Sequence, residues 1–194
     1  LAIWLRGIGA YPHSISGVAN ILKKANVSTL AAPPYLARMR YPVYYSDLVI
    51  PEAQRYGFDP LLLFALIRQE SRFDRYATAA AGEKGLTQVI PGTGVYIASR
   101  LNWPDYDHAD LFRPYASIAF GAYYLWEQLN RFDFNIPVGL AAYNGGPGNA
   151  AAWLEASGSD PDLFIEGIGI DGTRTYVRRL YEHYHVYRQL YGTG

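Results

Sequence analysis

Asp59-Pro60-Leu61-Leu62-Leu63-Phe64-Ala65-Leu66-Ile67-Arg68-Gln69-Glu70-Ser71-Arg72-Phe73 is the stretch that decides the fold. Asp before Pro marks a helix start: a capping carboxylate, then a ring whose preset φ suits the first helical position. Leu61, Leu62, Phe64, Ala65 and Ile67 then leave almost no polar face until about Arg72. A helix apolar nearly all round must be covered on most sides, so it is expected at the centre of a helical domain. Glu70 lies at its far end, where the chain breaks into a loop of small residues. Partial desolvation there disfavours the anion and raises the pKa, which suits a general acid at neutral pH. Taken alone, the same residue reads as a surface carboxylate paired with Arg68, Arg72 or Arg75, because strongly perturbed carboxylates are a minority.

Outward from this helix the pattern stays helical. Ser46 is expected to cap a helix through Asp47, Ile50 and Ala53 to about Tyr56, stopped by Gly57. Residues 73–91 are rich in Ala and Gly and read as a loop or a small strand pair. Residues 93–100 form a short helix and 102–112 a loop carrying Asp105, Asp107 and Asp110. A long helix opens at Pro114 or Tyr115 and runs to about Asn130. Another opens at Ile136 or Pro137 and runs to about Tyr143. Residues 144–148 are a turn, 149–156 a helix, 158–172 a loop, and the last helix runs from Thr173 or Arg174 to Leu190. The fold class is mainly α: several helices around one core with a small irregular or β-containing loop region. No internal repeat occurs.

Residues 1–40 differ from the rest. They hold Arg6, Lys23, Lys24, Arg38 and Arg40 and no acidic residue. A Ser/Gly/Pro-containing stretch and the Pro33-Pro34 pair interrupt them. They read as an N-terminal helical extension or linker of short helices, with residues 41–194 as the main domain.

The 194 residues are 50% hydrophobic, enough for a sizeable core in one domain. Seventeen basic and 17 acidic side chains balance, so no global field attracts nucleic acid or an acidic membrane. There is no cysteine, which excludes disulfides and thiolate metal sites. No apolar run approaches the ~20 residues of a membrane span. A soluble chain is expected, with any export signal outside it. The 18 tyrosines and 4 tryptophans suit a groove for a polar polymer, and they equally suit the core of a helical domain.

Three further blocks follow Glu70-Ser71. They are Gly85-Leu86-Thr87-Gln88-Val89-Ile90-Pro91, then Ala142-Tyr143-Asn144-Gly145-Gly146-Pro147-Gly148, then Thr173-Arg174-Thr175-Tyr176-Val177. In this order and at these separations, over about residues 41–191, the chain resembles the soluble lytic transglycosylase family, whose catalytic domain is lysozyme-like and cleaves bacterial peptidoglycan. That family shows Glu-Ser, Gly-Leu-Met-Gln with a following proline, Ala-Tyr-Asn-Ala-Gly-Pro-Gly and Thr-Arg-x-Tyr-Val.

The resemblance implies that Glu70 is the sole catalytic acid and base. Gln88 is then a groove residue that hydrogen-bonds the sugar. Tyr143 and Asn144 form the floor beside Glu70, and the Tyr176 hydroxyl faces its carboxyl. Gly85 and Gly145 to Gly148 look like turn residues with φ > 0 or close to substrate. The implied reaction cuts the bond between N-acetylmuramic acid and N-acetylglucosamine and leaves 1,6-anhydro ends. It needs no metal or organic cofactor. The implied partner is the glycan strand of peptidoglycan and the implied location the bacterial cell envelope, periplasmic or extracellular. Three positions depart from the pattern: Ala79 stands where the family has a serine, Glu83 adds a charge in the usual Gly-Ala-x-Gly, and Thr87 replaces a methionine. Asp74 is expected to cap a turn. Two other readings stay open: a muramidase in which Glu83 or Asp74 positions water, and a glycan-binding module on the same fold.

Overall fold

Prolines open most of the helices. The computed structural model describes residues 1–158 and 160–192. Among them are α1 (Ala2–Gly7), α2 (Tyr11–Lys24), α3 (Pro34–Arg40), α4 (Ser46–Arg55), α5 (Pro60–Ser71), α6 (Pro91–Leu101), α7 (Pro114–Arg131), α8 (Ile136–Gly145), α9 (Pro147–Ser157), α10 (Pro161–Gly167) and α11 (Asp171–Tyr191). A 3-10 helix, His108–Phe112, precedes α7. Each of α3, α5, α6, α7, α9 and α10 begins on a proline, where the missing N–H is one the helix would leave unpaired anyway.

The mainly α architecture expected from the sequence is what folds. Several local expectations shift. Ser46 is the first residue of α4 and makes no capping hydrogen bond; Tyr45 precedes it with φ +59°. Gly57, with φ +71°, does follow the helix end. Helices α6 and α9 start two residues earlier than their polar caps imply, because Pro91 and Pro147 serve as first residues. The stretch read as a loop over 158–172 contains α10. Its signal matches that of α5: Asp160 Oδ1 accepts the N–H groups of Asp162 and Leu163 at 2.9 and 3.1 Å. Phe164 and Ile168 then anchor it in the core. The acidic stretch at 102–112 is not all loop either, since Asp107 and Asp110 form a reciprocal capping box on the 3-10 helix. Residues 73–90 hold no strand, only single antiparallel bridges between Thr78 and Lys84 and between Lys84 and Val89.

Helix α5 runs through the centre. Leu63, Ala65, Leu66 and Ile67 have no exposed surface, because α11 packs along one side and α4 on another. Their cluster includes Leu125 of α7, Leu140 of α8, and Val177 and Leu180 of α11. Burial of four such side chains contributes on the order of 1.5–3 kcal/mol each for the larger ones. Tyrosines of α11 bond it to the start of α5 and to the connection between α3 and α4. Tyr184 donates to Asp59 Oδ2 at 2.8 Å, Tyr187 to the Pro42 carbonyl at 2.7 Å and Tyr191 to the Tyr41 carbonyl at 2.8 Å. A second cluster joins Val89, Ile97, Leu111 and Phe120 beneath the loop. A third holds Val18, Leu22, Ala37 and Met39 against Leu190, while Ile15 of α2 enters the central cluster. No helix among the described residues is long and apolar enough to cross a membrane.

Candidate active site

The chain turns sharply just past Glu70. Arg72 and Phe73 both take left-handed φ, +51° and +67°, and Phe73 drops into the core. Ser71 Oγ donates to the Leu86 carbonyl at 2.9 Å and so fastens the returning loop beneath the end of α5. The loop is held on its other side by Thr87, which is fully buried. Its N–H donates to Ser117 Oγ at 3.2 Å and its hydroxyl to the Ser117 carbonyl at 2.8 Å. Gly121 of α7 makes room for it: a Cβ there would lie 2.3 Å from Thr87 Cγ2. Gly85, with φ +77°, passes so close to the Leu111 carbonyl that a Cβ would meet its oxygen at 2.0 Å. The Gly-Leu-Thr-Gln block is therefore a tightly fitted strap between α5 and α7.

Over this strap opens a cleft of about 500 Å³. Glu70, Gln88, Tyr143 and Asn144 all line it, together with Ala79, Glu83, Thr93 and Tyr124. Tyr176 reaches the same carboxyl from α11, 106 residues later in the chain, and donates to Glu70 Oε1 at 2.5 Å. Glu70 is partly accessible from the cleft while its carboxyl is largely enclosed. Burial pushes its pKa up from 4.5 to about 7, the Tyr176 hydrogen bond pulls it down, and the Glu83 charge pushes it up again. Near neutral pH the group is thus close to half protonated and can donate or accept a proton. Burial raises Tyr143 and Tyr176 well above their usual range, with Glu70 adding to it, so both keep their hydroxyl protons.

The sequence blocks acquire physical reasons here. Thr173 Oγ1 donates to Asn144 Oδ1 at 2.8 Å, so the Thr-Arg-x-Tyr-Val block orients the Tyr-Asn block. Arg174 donates to the Ile168 carbonyl at 3.3 Å and closes the turn before α11. Tyr143 donates to the Thr87 carbonyl at 2.9 Å and ties α8 to the strap, with Tyr124 tilted against its ring at 5.1 Å. Of the glycines at 145–148, only Gly146 has positive φ, +87°. A Cβ at Gly145 would press on Thr173 and Trp153 at 3.1 Å, and nothing lies near Gly148.

Gln88 differs most from its expected use. Its Nε2 donates to the carbonyls of Ala77 and Gly85 at 3.0 and 2.8 Å. The amide nitrogen is spent on the loop, and only Oε1 is left to accept from a ligand. Asp74 Oδ1 accepts the Tyr76 N–H at 2.9 Å, a turn cap, and does not line the cleft. Glu83 does line it, with Oε2 accepting the Ala81 N–H at 2.9 Å. Ala79 borders the cleft and brings no hydroxyl to the carboxyl. Tyr124 and Thr93 were not singled out from the sequence: neither belongs to a motif, and only the packing of α6 and α7 brings them to the cleft. Among the described residues no three His, Cys, Asp or Glu side chains gather closely enough to hold a metal ion.

Residues 47–163 match the transglycosylase SLT domain family. The soluble lytic murein transglycosylase of Salmonella typhimurium is 31% identical over 156 residues, 79% of this chain and 24% of that protein. The structure of the lytic transglycosylase Slt from Pseudomonas aeruginosa, an inactive mutant, superposes with a TM-score of 0.83 at 28% identity, covering 97% of this chain and 29% of that one. The complex of the 70-kDa soluble lytic transglycosylase with bulgecin A gives 0.85 at 27% identity, covering 100% and 30%. The chain thus spans about a quarter of the length of these relatives.

Proposed function

Since the chain belongs to the transglycosylase SLT family, we propose that it is a peptidoglycan lytic transglycosylase in which Glu70 acts first as acid and then as base. One observation carries the reading: a single enclosed carboxyl at the base of a cleft, poised to ionise at about 7 and gripped by a tyrosine hydroxyl. Protonated Glu70 donates to the oxygen linking N-acetylmuramic acid to N-acetylglucosamine, and that β-1,4 bond breaks. The muramic N-acetyl group assists departure. Anionic Glu70 then takes the proton of the same sugar's 6-hydroxyl, and the oxygen closes a 1,6-anhydro ring. The proton given stays on the departing sugar's oxygen, the 6-hydroxyl proton replaces it on Glu70, and no water is consumed.

Tyr176 fits the second half of this cycle. A neutral phenol donating to Oε1 stabilises the anion that exists between the two transfers. Tyr143 and Tyr124 line the cleft as aromatic surface and Asn144 and Gln88 Oε1 as polar groups, which supports a glycan strand as substrate and the bacterial cell envelope as the place of action.

Mass spectrometry of purified peptidoglycan digested by the protein checks the reading, with Glu70→Gln as control. Products ending in 1,6-anhydro-muramic acid are expected from the wild type and none from the variant. Water-added reducing ends in their place would instead support hydrolysis, with Glu83 in the same cleft as the group that positions water. Equal glycan binding by both proteins with no release from either would leave a binding module.

A further inference from the structure

Arg68 lies two residues before Glu70 on α5, which puts it on the far side of that helix, since two positions turn the chain by about 200°. It is only 8% exposed, and among the described residues its Nε and Nη1 have no hydrogen-bond partner. Its Cζ sits 4.0 Å from the centre of the Tyr41 ring. That contact satisfies the flat face of the guanidinium. The N–H donors lie in its plane, and a ring face does not serve them.

Arg68 lines a cavity of about 490 Å³ between α2, α5 and α11, together with Arg72, Arg179 and His183. No carboxylate lines this space, and no ion pair reaches any of the three arginines among the described residues. His183 Nδ1 is 3.1 Å from the Tyr41 hydroxyl. Burial, and then the charges of Arg68, Arg40, Arg179 and Arg72, lower its pKa to about 3, so the ring is neutral. With the hydroxyl donating to Nδ1, its Nε2–H is one more donor. The cavity therefore presents donors and positive charge, and the only acceptors in its lining are the neutral side chains of Ser16, Asn20 and Gln69, of which Ser16 already takes a hydrogen bond from Arg72. A buried guanidinium among like charges is costly unless an anion meets it.

We propose that this cavity is a binding site for a phosphoryl group, separate from the catalytic cleft. A carboxylate brings one charge and two oxygens. A phosphoryl group brings up to two charges and three acceptor oxygens, enough to engage forked donors from several sides at once. Arg72 Nη1 already donates to Ser16 Oγ of α2 at 3.1 Å, so an occupant would bridge residues 1–40 to the two helices that carry Glu70 and Tyr176. The proposal does not depend on the role of Glu70.

Calorimetric titration of the chain with inorganic phosphate at constant ionic strength tests it, with acetate as the carboxylate control. Saturable one-to-one binding is expected, weakened about tenfold or more in Arg179→Gln and for acetate. Arg68→Met, which keeps an apolar stem, should lose it outright. If that buried substitution unfolds the protein, the exposed Arg179→Gln still decides. Glu70→Gln should bind phosphate as the wild type does, which separates this site from the proposed catalysis. Co-sedimentation with phosphatidylglycerol vesicles, competed by phosphate, would assign the group to a lipid headgroup; binding without sedimentation would assign it to a free phosphate. No saturable binding, equal binding of acetate, or undiminished binding in Arg179→Gln overturns the proposal.

Discussion

Glu70 shows what enclosing one carboxyl costs the fold. Its carboxyl ionises near 4.5 in an unfolded chain and near 7 in the fold. Between these values the folded protein holds a proton the unfolded chain has released. Stability therefore falls as pH rises through that window, by about 3 kcal/mol in all. Glu70→Gln has no charge to desolvate and keeps an oxygen for the Tyr176 hydroxyl. Urea unfolding should find the variant more stable by about 3 kcal/mol at pH 8 and nearly unchanged at pH 4. An equal difference at both pH values would mean that the carboxyl is not desolvated. Tyr176→Phe acts in the opposite direction on the same group. Its hydroxyl pulls the Glu70 pKa down, so its loss should move the alkaline limb of kcat/KM against pH upward. It should also lower kcat about ten- to hundredfold, the worth of a hydrogen bond to a charged group. A limb that stays in place would take Tyr176 out of the control of Glu70.

Among the elements, the strap from residue 73 to 90 depends most on single positions. It has no ladder of its own, so contacts to α5 and α7 hold it in place. Gly85→Ala combines a left-handed φ with a Cβ 2.0 Å from a backbone oxygen, which no rotamer change relieves. A loss of about 3 kcal/mol or more is expected, seen as a fall of about 6–12 °C in thermal midpoint. Gly148→Ala is the contrast. It lies in an equally Gly-rich block but has open space around it and sits in the first turn of α9, so the midpoint should hold or rise. The legibility of these elements followed their chemistry. Asp59-Pro60 gave α5 away because capping and a fixed φ act within a few residues. The same pair at Asp160-Pro161 opens α10, but seven residues make too short a run for periodicity to reveal. The strap's shape was not readable, since Gly85 does not name its neighbour Leu111 in the 3-10 helix, nor Thr87 its partner Ser117 on α7.

At the scale of the whole molecule, α11 joins everything. It packs along α5, brings Tyr176 to Glu70, and offers Leu190 to the cluster made by α2 and α3. Ile15 of α2 is 1% exposed and belongs to the central core. Ile15→Ala should therefore cost about 2–4 kcal/mol and lower a single cooperative unfolding transition. Two transitions, with only the first one shifted, would mean that residues 1–40 unfold apart from the rest.

From the sequence alone came the helical class, the central buried helix, the acid at its end and the three further blocks that follow it. Those features rest on interactions between near neighbours: caps, prolines, and a run with no polar face. Only the tertiary structure decided what the acid feels. Its raised pKa arises from enclosure, which outweighs the downward pull of a hydroxyl 106 residues away, Gln88 turns its amide nitrogen inward because two loop carbonyls claim it, and Nε and Nη1 of Arg68, on the far side of the same helix, find no acceptor among the described residues. Burial and distance between remote residues are properties of packing, and no local pattern of residues contains them.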